Sequence, residues 1–270
     1  MTNCDKTCSC SLEPASLSVE EATVYYGDKP ALQKITFCVP AGSSVAVIGP
    51  NGAGKSTLFK ALVGLLPLHS GSISIHGLPL GHHRYCVAYI PQKEEVDWRF
   101  PVNVFDVVMM GRYAQLGLFR RPGKNDRSAV TDCLEKLGIS DLAGQAIGSL
   151  SGGQQQRVFL ARALAQEPHI ILMDEPFTGV DASTQETALA LFENLRAQQV
   201  TILISTHDLN IAAKHFDRIL LLNRRLIAFG PAPQALTAGV VAEAFVGQVL
   251  FLDGALVVDK AAHKRLPNGK

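Results

Sequence analysis

No apolar run in this 270-residue chain approaches the roughly 18 residues that a membrane-spanning helix requires. The stretch 249–258 is apolar but interrupted by Asp253 and Gly254. The first eleven residues are polar and lack the apolar centre of a secretory signal. A basic excess is missing too. Lys and Arg number 25 against 24 Asp and Glu, a formal charge of +1, so no surplus exists to hold a nucleic-acid backbone. Charged residues make up 18% of the chain and hydrophobic ones 47%, which excludes a disordered chain and leaves a globular one with a sizeable core. The expectation is a soluble protein whose membrane association comes through a partner.

Six cysteines are too few for a disulfide scaffold at this length. Cys38, Cys86 and Cys133 sit among apolar segments and read as reduced core residues. Cys4, Cys8 and Cys10 crowd into the first ten residues. Three thiolates can hold a soft metal. No fourth ligand or matching second pair accompanies them, so a tail without a metal is the simpler reading.

What the chain has is a glycine-rich loop, Gly49-Pro50-Asn51-Gly52-Ala53-Gly54-Lys55-Ser56-Thr57, after an apolar run Val45–Ile48 and before Leu58, Ala61 and Leu62. That is strand, loop, helix. The pattern G-x-x-x-x-G-K-[ST] needs its glycines so that successive backbone N–H groups can curl around phosphate oxygens. A helix starting near Ser56 aims further N–H groups and a positive dipole end at the same anion. Lys55 supplies charge for the β- and γ-phosphates, and Ser56 a hydroxyl for Mg²⁺. An incidental glycine turn would not explain the strand before the loop and the helix after it.

Around this loop the chain reads in two halves. Leu17 to Val39 reads as short strands with turns at Tyr25-Tyr26-Gly27 and Pro40-Ala41-Gly42. An aromatic at the first turn is placed either to stack on a base or to pack as a half-buried strand tyrosine. Ser72–Ile75 and Val87–Ile90 are further strands, the second broken by Pro91-Gln92. From about Val102 to Ala165 the reading is helical, with Val130, Cys133, Leu134 and Leu137 at i, i+3, i+4, i+7. Leu150-Ser151-Gly152-Gly153-Gln154 then precedes a helix of strong formers, a second potential anion cradle and by itself a weak signal.

Ile170–Met173 is a continuous apolar run ending in Asp174-Glu175, and Val200–Ser205 is another, ending in Thr206-His207-Asp208. Buried parallel strands read this way, and ligands gather at their carboxyl ends. Adjacent residues of an extended chain point opposite ways, so Asp174 and Glu175 are suited to different tasks: one to hold Mg²⁺, its neighbour to orient a water. His207 has the reach for a γ-phosphate, although a strand-end histidine alone is usually a surface residue. Ser183 and Glu186 read as a capping box.

Together these stretches resemble the ATP-binding subunit of an ATP-binding-cassette (ABC) transporter. Gly49–Ser56 is similar to the family's Walker A motif, Leu150–Gln154 to its LSGGQ signature, Ile170–Glu175 to Walker B with its following glutamate. Gln92 matches the Q-loop glutamine, Gly179-Val180-Asp181 the D-loop, His207 the switch histidine, and Tyr26 the aromatic that stacks on adenine. The resemblance spans roughly residues 15–235. It implies an α/β fold: a P-loop NTPase (RecA-like) core with an antiparallel β subdomain and an α-helical subdomain. The implied division is a tail at 1–14, an ATPase domain at 15–248 with the helical subdomain about 97–165 inside it, and a C-terminal extension and tail at 249–270.

The resemblance further implies that two copies pack head to tail with two ATP molecules between them. Ser151, Gly152, Gly153 and Gln154 of one copy then face the phosphate loop of the other. Ser56, Gln92 and Asp174 surround Mg²⁺, Glu175 polarises water, His207 holds the γ-phosphate, and Asp181 couples the two sites. The segment 94–122 resembles the branch serving prokaryotic manganese, zinc and chelated-iron importers, with manganese first among them. Trp98, Arg99, Phe100, Arg112 and Tyr113 look like a patch for a membrane partner, the alternative being ordinary packing inside the helical subdomain. The implied partners are polytopic permease subunits at the cytoplasmic face of the membrane and, indirectly, an extracytoplasmic metal-binding protein. The branch implies no metal site here besides Mg²⁺, and leaves His76, His82 and His83 as decoration of a surface turn. An ABC-type ATPase acting in DNA repair or on ribosomes is the alternative. Those usually carry a long coiled coil or two cassettes in one chain, and neither is present.

Overall fold

The computed structural model describes residues 15–82, 84–92, 95, 97–116, 120–179, 182–245, 249–252 and 255–258. Cys4, Cys8, Cys10 and Asp181 lie outside them.

The chain opens with two long strands, β1 (Ala15–Tyr26) and β2 (Lys29–Pro40), rather than several short ones. They pair antiparallel from Ala15↔Pro40 to Tyr26↔Lys29, so the turn is Gly27-Asp28 and Tyr25 and Tyr26 belong to the strand. Gly27 takes the left-handed φ of 57° that so tight a connection demands. Register shifts break the ladder at several points, which is why the alternation looked like separate strands in the sequence. After β3 (Ser44–Ile48), α1 (Lys55–Leu62), β4 (Ser70–Ile75) and β5 (Leu78–Pro79) follow. The first sheet has the order β2-β1-β4-β5.

The second sheet adds β6 (Val87–Ile90), β7 (Ile170–Asp174), β8 (Thr201–Thr206), β9 (Arg218–Asn223) and β10 (Arg225–Gly230). Its order is β10-β9-β3-β8-β7-β6, parallel except for the β9–β10 hairpin. All five residues of β3 are buried, as an unbroken apolar run predicts for a strand covered on both faces. Val45 and Val47 pack with Leu58, Phe59, Ile35 and Val39, joining the parallel sheet to α1 and the antiparallel sheet. Ala46 and Ile48 pack on the other side, in a core shared with Val107, Phe159 and Phe192. Phe59, on the α1 side of the sheet, is fully buried, worth about 2–3 kcal/mol of transfer free energy.

The segment between β6 and β7 carries the α-helices α2 (Val104–Met109), α3 (Tyr113–Leu116), α4 (Lys124–Lys136) and α5 (Gly152–Ala165). Val130, Cys133, Leu134 and Leu137 are buried, as their spacing predicts. Burial in apolar surroundings pushes the Cys133 thiol up to about 11, so it behaves as an inert core group. Cys38 and Cys86 are likewise buried. Beyond β7 come α6 (Ala182–Ala197), α7 (Leu209–His215), α8 (Ala232–Ala235), α9 (Ala238–Ala244) and the hairpin β11 (Val249–Leu252) and β12 (Ala255–Val258). Helix α6 already includes Ala182, so Ser183 is inside it and is not the cap expected from the sequence. Among the described residues no helix is long and apolar enough to cross a membrane.

Candidate nucleotide site

Strand β3 carries the glycine-rich loop out of the sheet, and the loop is held by backbone on backbone. A Cβ on Gly49 would lie 2.1 Å from the Leu222 carbonyl oxygen, so only glycine lets the loop lie this close to β9. Gly54 has φ 99°, and its Cβ would meet Leu32 Cδ2 at 2.7 Å and the Ala31 carbonyl oxygen at 2.8 Å. The Arg224 N–H donates to the Ala53 carbonyl at 2.8 Å, clipping the β9–β10 turn to the loop. Helix α1 then begins with no side-chain cap and no acidic residue in its first turn. Its first N–H groups and dipole are therefore available to an anion.

Lys55 is 6% exposed, and its Nζ donates to the carbonyls of Gly49 (2.9 Å) and Pro50 (3.3 Å). It also stands 3.9 Å from Glu175 Oε1. Burial pulls the ammonium below the usual lysine range, opposed by the charges of Glu175 and Asp174. Asp174 closes β7 and is itself buried. Its Oδ1 accepts from Ser205 Oγ, which in turn accepts from the Glu175 N–H at 2.8 Å. Asp174 Oδ2 has no hydrogen-bond partner of good geometry. Burial holds the Asp174 carboxyl above the ordinary aspartate range; the hydroxyls of Ser205 and then Ser56 act against this. Glu175 does not continue the extended chain, as the sequence led one to expect. It sits at φ 49°, in the left-handed region, and this reversal turns its carboxylate toward Lys55. Thr178 Oγ1 donates to Glu175 Oε2 at 3.3 Å.

Lys55 and Glu175 border a cleft of about 830 Å³ lined also by Tyr26, Lys29, the rest of residues 51–57, Gln92 and Arg224; Asp174 is not part of its lining. Tyr26 is 52% exposed at its edge, an aromatic face without cover. Lys29 and Arg224 were not singled out from the sequence. Lys29 is the direct antiparallel partner of Tyr26, a relation visible once the turn length is known. Arg224 has no local signal, since only the sheet order brings residue 224 to residue 53.

Two expected site groups lie elsewhere. His207 follows β8, whose last pair with β3 is Ile48↔Thr206, so it starts beside Gly49 but is exposed and outside the cleft lining. Ser151–Gln154 forms the N-terminus of α5, also outside the cleft. There the Ser151 N–H donates to Gln154 Oε1 at 2.8 Å, and Ser151 Oγ accepts from the Gln154 N–H at 3.4 Å. Gly152 and Gly153 are thus the first helical residues, not a turn before the helix. The Ser151 hydroxyl proton stays free to donate outward. Asp181 lies outside the described residues.

The aromatic patch expected between Trp98 and Tyr113 divides in two. Trp98 packs on Phe159 with ring centroids 5.2 Å apart. Arg112 is 11% exposed and held by Asp126 Oδ1 and the Ala165 carbonyl. These two are internal supports of the helical segment. Arg99, Phe100, Met110 and Tyr113 remain exposed.

A phosphate loop on an inner parallel strand, with a buried carboxylate and a second one reaching the loop lysine, defines a P-loop nucleotide-hydrolysing fold. More closely, the chain belongs to the ABC transporter family, whose description matches residues 32–178, and it is an ATP-binding subunit of that kind, an ATPase coupled to transport through membrane permease partners. It is 47% identical over 234 residues to a zinc transport system ATP-binding protein of Treponema pallidum, covering 87% of this chain and 88% of the relative. A manganese transport system ATP-binding protein of Bacillus subtilis is 47% identical over 236 residues, covering 87% and 94%. Among solved structures, an inward-facing ABC transporter described as of metal-chelate type superposes with TM-score 0.76 at 30% identity, covering 91% of this chain and 96% of that one.

Proposed function

We propose that this chain energises an importer of a divalent transition metal, manganese first and zinc or iron next. Two copies work head to tail on two ATP molecules at the cytoplasmic face of the membrane. Each copy docks on a polytopic permease served by an extracytoplasmic metal-binding protein. Tyr26 stacks on adenine. The loop Gly49–Gly54 wraps the phosphates with the N–H groups of Gly49, Asn51, Gly52, Ala53 and Gly54, while Pro50, which has no N–H, shapes the turn; Lys55, Ser56 and Thr57 complete the cradle. Ser151, Gly152, Gly153 and Gln154 of the second copy cover the γ-phosphate, His207 holds it, and Asp181 couples the two sites.

Ser56, Gln92 and Asp174 are oxygen donors of the kind Mg²⁺ takes, and the unpartnered Asp174 Oδ2 fits a cation ligand. Mg²⁺ bound there would neutralise charge on the β- and γ-phosphates. Glu175 orients and polarises the attacking water, and its left-handed backbone aims it at the phosphate loop. The exposed Arg99, Phe100, Met110 and Tyr113 form the permease-facing surface, a composition suited to an interface. Metal import is supported by the two transport relatives of equal identity, one named for zinc and one for manganese.

The observation that carries the ATPase reading is the meeting of Lys55 and Glu175 at 3.9 Å beside the buried Asp174. Glu175→Gln keeps ATP binding, lowers turnover about 10²- to 10⁴-fold and accumulates an ATP-bound dimer in size-exclusion chromatography. Fast multiple turnover by that variant removes Glu175 from the catalytic role. Cells producing the chain with its permease accumulate Mn²⁺ in an ATPase-dependent way; accumulation of neither manganese, zinc nor iron overturns the import reading.

A further inference from the structure

The geometry points to a binding site, remote from the nucleotide, for one divalent transition cation of the zinc, nickel or copper kind, formed by His76 and His169. His76 follows β4 in the antiparallel sheet, and His169 immediately precedes β7 in the parallel one. They are 93 residues apart in the chain, yet His169 Nδ1 and His76 Nε2 stand 3.0 Å apart with the rings edge to face.

Both backbones are fixed. The His76 N–H donates to the Ser16 carbonyl at 3.1 Å, and its φ is 49°, a left-handed value uncommon for a residue with a side chain. The His169 N–H donates to the Cys86 carbonyl at 2.8 Å, and its own carbonyl accepts from the Thr201 N–H at 2.9 Å. The convergence of the two imidazoles is thus set by the strands on either side and not by the mobility of a loop.

Two imidazole nitrogens bound at about 2.1 Å to one ion are separated by about 3.0 Å at a right angle and about 3.4 Å at the tetrahedral angle. The observed separation is that of cis ligands, and a few tenths of an ångström of side-chain movement reaches the tetrahedral value. In the metal-free protein one ring must donate to the other. Moving that ring's proton to its outer nitrogen presents both lone pairs to the cation without any change of net charge on the protein. Both residues are exposed, so the cation can enter and water can fill the remaining positions. Among the described residues no third His, Cys, Asp or Glu completes a cluster.

An imidazole pair favours zinc, nickel or copper over manganese and magnesium. The site lies at the start of β7, roughly 16 Å of strand from Asp174 at its other end. It would therefore be separate from the Mg²⁺ of the nucleotide, and occupancy would tie the antiparallel sheet to the base of the catalytic strand. The inference does not depend on which metal the transporter carries.

The test uses the full chain with Cys4, Cys8 and Cys10 changed to Ser, which removes competing thiols, and no nucleotide. Zn²⁺ affinity is measured by competition with a chromophoric chelator, and Cu²⁺ ligation by electron paramagnetic resonance. The expected result is one Zn²⁺ per chain, a Zn²⁺-dependent rise in melting temperature reversed by EDTA, and coupling of Cu²⁺ to two imidazole nitrogens. His76→Asn, which tolerates the left-handed backbone, and His169→Asn each weaken Zn²⁺ binding about tenfold or more and leave one coupled nitrogen. His82→Ala changes neither readout. Unchanged ATP affinity in the two Asn variants certifies their fold, and if one of them fails this control the other decides. Zn²⁺ affinity in a folded Asn variant equal to that of the parent, or a Cu²⁺ spectrum without a second imidazole, overturns the site.

Discussion

Ser205 Oγ stands 2.5 Å from Asp174 Oδ1 and also receives the Glu175 N–H at 2.8 Å. One fully buried hydroxyl on β8 thus holds both the carboxylate that ends β7 and the residue that follows it. Ser205→Ala leaves a buried acceptor and a buried donor without partners, which costs about 1–3 kcal/mol of stability. Because the orientation of Glu175 loosens, kcat falls while KM for ATP changes little. Thermal unfolding and steady-state kinetics check the two halves of this expectation, and a variant that loses only ATP affinity contradicts it.

Asp174 gives a pH signature. Its carboxyl titrates above the ordinary aspartate range because burial disfavours the charged form. The folded state therefore binds its proton more tightly than the unfolded state does. The sign is that stability falls as pH rises from the ordinary aspartate value through the raised one. Asp174→Asn removes this penalty and can still accept from Ser205. Without nucleotide it melts no lower than the parent at pH 7, and the difference between them shrinks below about pH 4. The same variant hydrolyses ATP poorly. Melting curves of both proteins from pH 3.5 to 8 decide the matter.

Gly49→Ala places a methyl 2.1 Å from the Leu222 carbonyl oxygen. Neither side can yield easily, because Leu222 is fixed in the buried β9 and Gly49 is buried where the loop leaves β3. The loop must shift, with a loss of about 3 kcal/mol or more and of nucleotide binding. Gly52→Ala, where nothing lies within 4 Å of the added carbon but φ is 78°, is the milder comparison. Denaturant unfolding of the two variants should rank them in that order.

Tyr26 presents a ring and no base-reading hydrogen bond. Tyr26→Phe is expected to keep the KM for ATP, and Tyr26→Ala to raise it roughly tenfold. Since every base has a π-face, GTP should be used nearly as well as ATP. Strong rejection of GTP by the parent protein would mean that another group reads the base edge.

The parts of this protein legible in its sequence are those where chemistry and conformation coincide over a few consecutive residues. The phosphate loop, the apolar strands ending in Asp174 and Thr206, and the α4 face at Val130, Cys133, Leu134 and Leu137 all belong there. What escaped depended on distant pairings. The uncommon backbone of Glu175 has no sequence mark, because left-handed φ is expected at Gly or Asn rather than Glu. Arg224 reaches the cleft only through the order β9-β3. Trp98 and Arg112 looked like surface anchors by composition and became internal supports once α5 packed against them. His76 reads in the sequence as a turn residue, and only the meeting of two sheets gives it His169 as a neighbour.

The position of β3 has a consequence for how the molecule comes into being. The phosphate loop leaves the sheet at Ile48, but the strands flanking β3 are β8 and β9, and Leu222 and Arg224 brace the loop itself. About 170 residues must emerge from the ribosome between the loop and its braces, which takes on the order of ten to thirty seconds. For that interval β3 is an apolar strand with no neighbours. The loop can therefore take its shape, and ATP can serve as its ligand, only after β9 and the turn at Arg224 have been made.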